Sequence, residues 1–70
     1  MMNTMIYAVP DMSCAHCKAK IEKEVEALAG VQSVNVEIAT KTLTVIADER
    51  VTNEAIVVAV SKAGYTAEKQ

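Results

Sequence analysis

Residues 12–17 have the sequence MSCAHC, and this segment contains both cysteines and the only histidine of the 70-residue chain. The two cysteines are three positions apart, and side chains with that spacing lie on one face of a helix. A helix N-terminus carries partial positive charge and unpaired N–H groups, which favour thiolate over thiol. Thiolate is the form that binds soft metal ions. The segment therefore predicts a metal site at the start of a helix.

The sequence on either side of this segment predicts a strand before it and a helix through it. Apolar residues alternate weakly over residues 5–9, and Pro10 then favours an extended residue before it and ends the strand. From residue 15 to 28 the apolar residues recur with helical spacing, and charged residues occupy most of the other positions. Gly30 follows as a helix stop.

The middle of the chain predicts a β-hairpin. Residues 33–38 alternate strictly between polar and apolar side chains, which is typical of a half-buried strand. Residues 39–41 are a plausible connection to a third strand at residues 42–47. The predicted inward residues of that strand are Leu43, Val45 and Ala47.

A second helix is predicted after a loop at residues 48–51. Thr52 is placed to cap this helix, and Glu54 lies where its charge complements the helix dipole. The predicted core residues are Ile56, Val60 and Ala63. Gly64 ends the helix, and a short last strand is predicted at residues 65–67.

The resulting order of elements is βαββαβ, an α+β arrangement. Two βαβ units with right-handed crossovers give a four-stranded antiparallel sheet covered by two helices on one face. The apolar fraction of 51% is sufficient for a core, but the chain has no Phe or Trp. We therefore expect one small domain whose core consists of many close contacts between small side chains.

Charge and composition exclude several classes of function. The net charge is −2, whereas nucleic-acid binding and general electrostatic binding to anionic membranes need a basic surface. No basic region followed by a long apolar run occurs at the N-terminus, and the apolar run at residues 55–60 is too short to span a bilayer. We expect a cytoplasmic protein without membrane insertion, in which the cysteines stay reduced.

Several chemistries use a Cys-x-x-Cys pair. A structural zinc site needs four nitrogen or sulfur ligands, whereas this segment offers only Cys14, Cys17 and His16. Haem attachment needs a histidine directly after the second cysteine, where Lys18 stands. A dithiol oxidoreductase stays open, although the element order and length differ from those of thioredoxin. Two-coordinate binding of copper(I) by two thiolates fits the donors best, because soft sulfur ligands select this ion.

The segment resembles the M-x-C-x-x-C signature of the heavy-metal-associated domain family. The histidine before the second cysteine is similar to the form in bacterial cytosolic copper chaperones. The resemblance extends to residues 28–31, 33–36 and 63–65, so residues 1–70 are identified as a single such domain. It implies a ferredoxin-like fold and no catalysis. It also implies that Cys14 and Cys17 carry copper(I) and deliver it to the metal-binding domains of a copper-transporting P-type ATPase.

The resemblance also suggests roles for residues near the cysteines. It implies that Met12 is a buried plug beneath the loop rather than a ligand. His16 is interpreted as an exposed group that tunes the thiols, and as a third ligand if two copies of the chain share copper in a dimer. Tyr65 resembles a tyrosine near the metal loop of bacterial relatives, or else packs at the start of the last strand. Asp11 stands where the family commonly has Gly, and its charge is expected to oppose thiolate formation.

Three other functions compete with the copper chaperone. The chain can instead carry mercury, zinc or cadmium, or it can be a metal-binding domain excised from the ATPase. The third is a small dithiol oxidoreductase. Metal selectivity distinguishes a carrier of mercury, zinc or cadmium from a copper carrier, and a measured disulfide exchange rate tests the oxidoreductase.

Overall fold

A computed structural model describes residues 2–12 and 15–70 of the chain. The described elements confirm the predicted order βαββαβ. They are β1 (Asn3–Ala8), α1 (Ala15–Glu26), β2 (Val31–Glu37), β3 (Thr42–Ala47), α2 (Asn53–Lys62) and β4 (Glu68–Lys69).

The four strands form one antiparallel sheet with the order β2-β3-β1-β4. β1 is therefore a central strand, and it pairs with β3 along its whole length. Its pairing with β4 is short and joins Tyr7 to Lys69 and Ala8 to Glu68. Because β1 leads directly toward residues 12–17, a central strand of the sheet holds the approach to the cysteine segment.

The core lies between one face of the sheet and the two helices. Tyr7 in β1 and Val9 just after it are fully buried, whereas Ile6 on the opposite face of β1 is 43% exposed. This alternation follows from the two-residue period of a strand. The predicted inward residues of β3 are confirmed, and all three are buried: Leu43, Val45 and Ala47. Burial raises the pKa of the Tyr7 hydroxyl, and the negative charge of Glu54 adds to that increase.

The predicted caps of α2 are confirmed. Thr52 Oγ1 accepts the Ala55 N–H at 3.1 Å, which satisfies one of the unpaired donors of the first turn. At the other end Gly64 has a φ of +98°, and the Tyr65 N–H donates to the Val60 carbonyl at 3.1 Å. This is the hydrogen bond of a Schellman motif, which favours glycine at the left-handed position. Neither α1 nor α2, the helices of the described residues, is long and apolar enough to cross a membrane.

Two boundaries around Gly30 differ from those predicted. α1 ends at Glu26 rather than residue 28, because the Leu28 N–H bonds the Val25 carbonyl at 3.1 Å in a tighter turn. β2 begins at Val31, two residues earlier than expected. Val51, which the sequence places in a loop, is only 7% exposed and belongs to the core.

The last strand is displaced from its predicted position. Residues 65–67 are not a strand in the structure, and β4 comprises only Glu68–Lys69. Continuing the β1–β4 register toward the cysteine segment would place Thr66 opposite Pro10, beyond the end of β1. Proline has no N–H to contribute to a ladder, so regular pairing stops before this point.

Candidate metal centre

Two hydrogen bonds between main-chain groups hold the backbone that enters the cysteine segment. The Val9 N–H donates to the Lys41 carbonyl at 2.8 Å, and the Met12 N–H donates to the Val9 carbonyl at 3.0 Å. The second bond closes a turn through Pro10 and Asp11. The β2–β3 connection therefore supports this turn, with Lys41 itself in the left-handed region at a φ of 53°.

Met12 points into the core and is fully buried. It belongs to the same hydrophobic cluster as Tyr7 and Val9, so the start of the segment is anchored by packing. The expected burial of Met12 is confirmed, and this position agrees with a plug rather than an exposed ligand. Ser13 and Cys14 lie outside the described residues, so the assignment of Cys14 as a ligand stays a prediction.

Cys17 occupies the first turn of α1 and is only 7% exposed. It lies on the same helical face as Ile21 and Val25, which are fully buried, because residues four apart share a face. Cys17 therefore faces the core rather than solvent. The first turn of α1 contains no acidic residue, so the positive end of the helix dipole is available to an anion such as a thiolate.

His16 and Tyr65 take different positions from the two buried residues. His16 is exposed, as expected, since it precedes Cys17 by one position and lies about 100° away around the helix. Tyr65 is half-buried in the connection between α2 and β4, not at the start of a strand as predicted. The structure thus brings Met12 and Cys17 into one core and leaves His16 at the surface.

Two contacts near the segment were not predicted from the sequence. Lys41 Nζ donates to the Pro10 carbonyl at 3.2 Å, and Asp11 Oδ1 accepts the Thr66 N–H at 3.3 Å. The family resemblance marks Asp11 as unusual, but nothing in the sequence marks Lys41 or Thr66, which lie far away along the chain. The effect of Asp11 on the thiols stays a prediction.

The donor set of the segment fits a soft ion better than a hard one. Its thiol-bearing residues are the core-facing Cys17 and, by sequence, Cys14, and thiolate ligands prefer soft metals such as copper(I). Within residues 2–12 and 15–70, no three side chains of His, Cys, Asp or Glu are grouped so that they could hold a metal ion.

Comparison with known proteins places the chain among metal-handling domains. Residues 6–66 match the heavy-metal-associated domain. The copper chaperone CopZ of Enterococcus hirae is 38% identical over 63 residues, which are 89% of this chain and 91% of that protein. Copper-transporting ATPase 2 of Rhizobium meliloti is 39% identical over 59 residues, which are 84% of this chain. The zinc/cadmium/lead-transporting P-type ATPase of Shigella sonnei is 43% identical over 60 residues, which are 86% of this chain.

The share of each relative that is covered differs greatly. The matched region is only 7% of the copper-transporting ATPase and 8% of the zinc/cadmium/lead-transporting ATPase. This chain is therefore similar to one small part of each transporter and to almost the whole of the chaperone.

Solved structures agree with the fold. Oxidized MerP from Ralstonia metallidurans superposes with a TM-score of 0.93 and 25% identity, covering 100% of this chain and 99% of that one. The N-terminal domain of ZntA in its apo form has a TM-score of 0.91 and 36% identity, covering 100% and 94% respectively. These likenesses and the sheet order confirm the predicted ferredoxin-like fold.

Proposed function

Because this chain belongs to the heavy-metal-associated domain family, we propose that it is a copper(I) chaperone that binds the ion through Cys14 and Cys17. The observation that carries this proposal is the position of Cys17, which is buried on the core face in the first turn of α1. A cysteine held there by packing provides one fixed sulfur, and the helix N-terminus favours its anionic form. Its role is binding and transfer, without catalysis.

The choice of copper(I) over zinc rests on the number and type of donors. Zinc sites in proteins are usually four-coordinate, and the segment has two cysteines and one exposed histidine. Two thiolates suit a two-coordinate soft ion better. Relatives that transport zinc, cadmium or lead support a second candidate, a carrier of another thiophilic ion such as zinc, cadmium or mercury.

The partner that we propose is a metal-binding domain of a copper-transporting P-type ATPase, met in the cytoplasm. The similarity to one short region of a copper-transporting ATPase supports this choice, because donor and acceptor would then share one fold. A two-coordinate ion leaves positions open for an incoming thiolate. Copper can then pass through three-coordinate intermediates shared by the two domains without release to water.

Native mass spectrometry of protein isolated from cells grown with excess copper and zinc tests this function. We expect one copper ion per chain, and none in the double variant Cys14→Ser, Cys17→Ser as a control. Protein that carries zinc in preference to copper would support the second candidate. Protein that carries no metal, but exchanges disulfides rapidly, would indicate an oxidoreductase.

We propose that His16 is an exposed group that tunes the thiols and becomes a third ligand when two copies of the chain share copper. Its imidazole is exposed, so a second chain can reach it. We expect His16→Ala to leave copper binding by the monomer largely intact and to reduce the copper-induced dimer, as measured by analytical ultracentrifugation.

The control for this variant is Lys20→Ala, which changes another exposed side chain of α1. It should leave the dimer as it is in the unmodified protein. Loss of copper binding by the His16→Ala monomer would make His16 a primary ligand. An unchanged dimer would remove it from the bridged site.

A further inference from the structure

The short pairing of β1 with β4 has a regular hydrogen-bond pattern. The Gln70 N–H donates to the Ile6 carbonyl at 2.9 Å, which identifies these two residues as a hydrogen-bonded pair. Hydrogen-bonded pairs recur at every second residue in an antiparallel ladder, so the pair two positions further along is bonded in the same way. Ala8 lies opposite Glu68 at that point. The next hydrogen-bonded pair would lie two residues beyond Ala8 on one side and two residues before Glu68 on the other.

That next pair is Pro10 and Thr66, and the expected ladder bond is replaced. A regular ladder would have the Thr66 N–H donate to the Pro10 carbonyl. The Pro10 carbonyl instead accepts Lys41 Nζ at 3.2 Å, at the point where the chain turns away from the strand. The Thr66 N–H donates to Asp11 Oδ1 at 3.3 Å. The Asp11 carboxylate therefore accepts the N–H here, as the main-chain carbonyl of Ile6 accepts the Gln70 N–H within the ladder.

We propose that Asp11 is a positioning residue that ties the connection between α2 and β4 to the entrance of the cysteine segment. Asp11 directly precedes the buried Met12, and its partner Thr66 directly follows Tyr65. A displacement of one segment is then passed to the other through a single hydrogen bond. The effect of such a displacement on the metal site rests on the proposed function, whereas the hydrogen bond between Asp11 and Thr66 does not.

Two substitutions separate the hydrogen bond of Asp11 from its charge. Asp11→Asn removes the charge and keeps an Oδ1 acceptor, whereas Asp11→Ala removes both. A tie through Oδ1 survives the first change and is lost in the second. An electrostatic role is lost equally in both. Glu26→Ala, which removes an exposed acidic residue from α1, controls for the change in net charge.

Amide hydrogen exchange of the metal-free protein, followed by NMR, tests the tie. We expect Asp11→Ala to speed exchange of the Thr66 amide roughly threefold to tenfold, since that is the worth of one hydrogen bond. Asp11→Asn and Glu26→Ala should stay near the unmodified protein. The Gln70 amide, bonded within the ladder, should change little in any variant. Equal Thr66 exchange in Asp11→Ala and the unmodified protein, or equal acceleration in Asp11→Asn and Asp11→Ala, would overturn the proposal.

Adding copper(I), buffered by the competing chelator bicinchoninate, tests whether metal binding is transmitted through the hydrogen bond of Asp11 to the Thr66 amide. We expect copper to slow exchange of the Thr66 amide in the unmodified protein and to have a smaller effect in Asp11→Ala. An equal response in both would show that the tie does not transmit metal binding. Failure of the unmodified protein to bind copper would contradict the proposed function and not the tie, because the metal-free measurement stands by itself.

Discussion

Replacing Cys14 or Cys17 is expected to lower copper(I) affinity by orders of magnitude, because each variant leaves one soft anionic donor where two are needed. Competition with bicinchoninate, read from the absorbance of its copper complex, measures this loss. Affinity that stays unchanged in either single variant would exclude the two-thiolate site.

The choice of substitute matters at Cys17 because this side chain is buried. Cys17→Ser exchanges a weakly polar thiol for a strongly polar hydroxyl in the apolar core, and this exchange costs free energy of desolvation. Cys17→Ala removes the sulfur without that penalty. We therefore expect Ser and Ala variants of Cys17 to lose copper equally but to differ in stability. If only the Ser variant lost copper, unfolding rather than the missing ligand would explain the result.

Met12→Ala is expected to destabilise the protein more than it weakens copper binding. Truncating a fully buried methionine costs roughly 2–5 kcal/mol through lost burial and the cavity left behind. A chain of this size has a total stability of about 4–10 kcal/mol, so the loss is a large part of the whole. Urea denaturation of the metal-free protein measures it. For a domain this small, each kcal/mol also lowers the midpoint of thermal unfolding by about 4–8 °C.

The chain offers a matched control for this variant. Met2 is 54% exposed, so Met2→Ala makes the same chemical change outside the core and should stay within about 0.5 kcal/mol of the unmodified protein. Met12→Leu separates packing from ligation, because it nearly conserves volume but removes the sulfur. If Met12 is a plug, Met12→Leu should keep the copper affinity and lower the free energy of unfolding by less than about 1.5 kcal/mol. X-ray absorption that finds a thioether sulfur bound to copper would contradict this assignment.

Features set by neighbouring residues were predicted well from the sequence. The alternation of residues 42–47 correctly predicts the buried side of β3, because successive strand residues point to opposite faces. The Thr52 cap and the Gly64 stop depend on one helix turn each, and both are confirmed. The burial of Met12, which the family resemblance implies, is confirmed, and Cys17 lies on the same helical face as the buried Ile21. The pairing of Cys17 with Cys14 around a metal stays a prediction from sequence.

Features that depend on contacts between distant segments were decided only by the tertiary structure. Where the last strand begins depends on Pro10, because continuing the β1–β4 register would place Pro10 opposite Thr66, and its missing N–H ends the regular pairing. The hydrogen bond of Lys41 near that turn spans 31 positions of the chain, and the hydrogen bond of Asp11 spans 55 positions. Periodicity and capping report on neighbours within about one helical turn. They carry no information about which exposed donor meets which acceptor once the strands have paired.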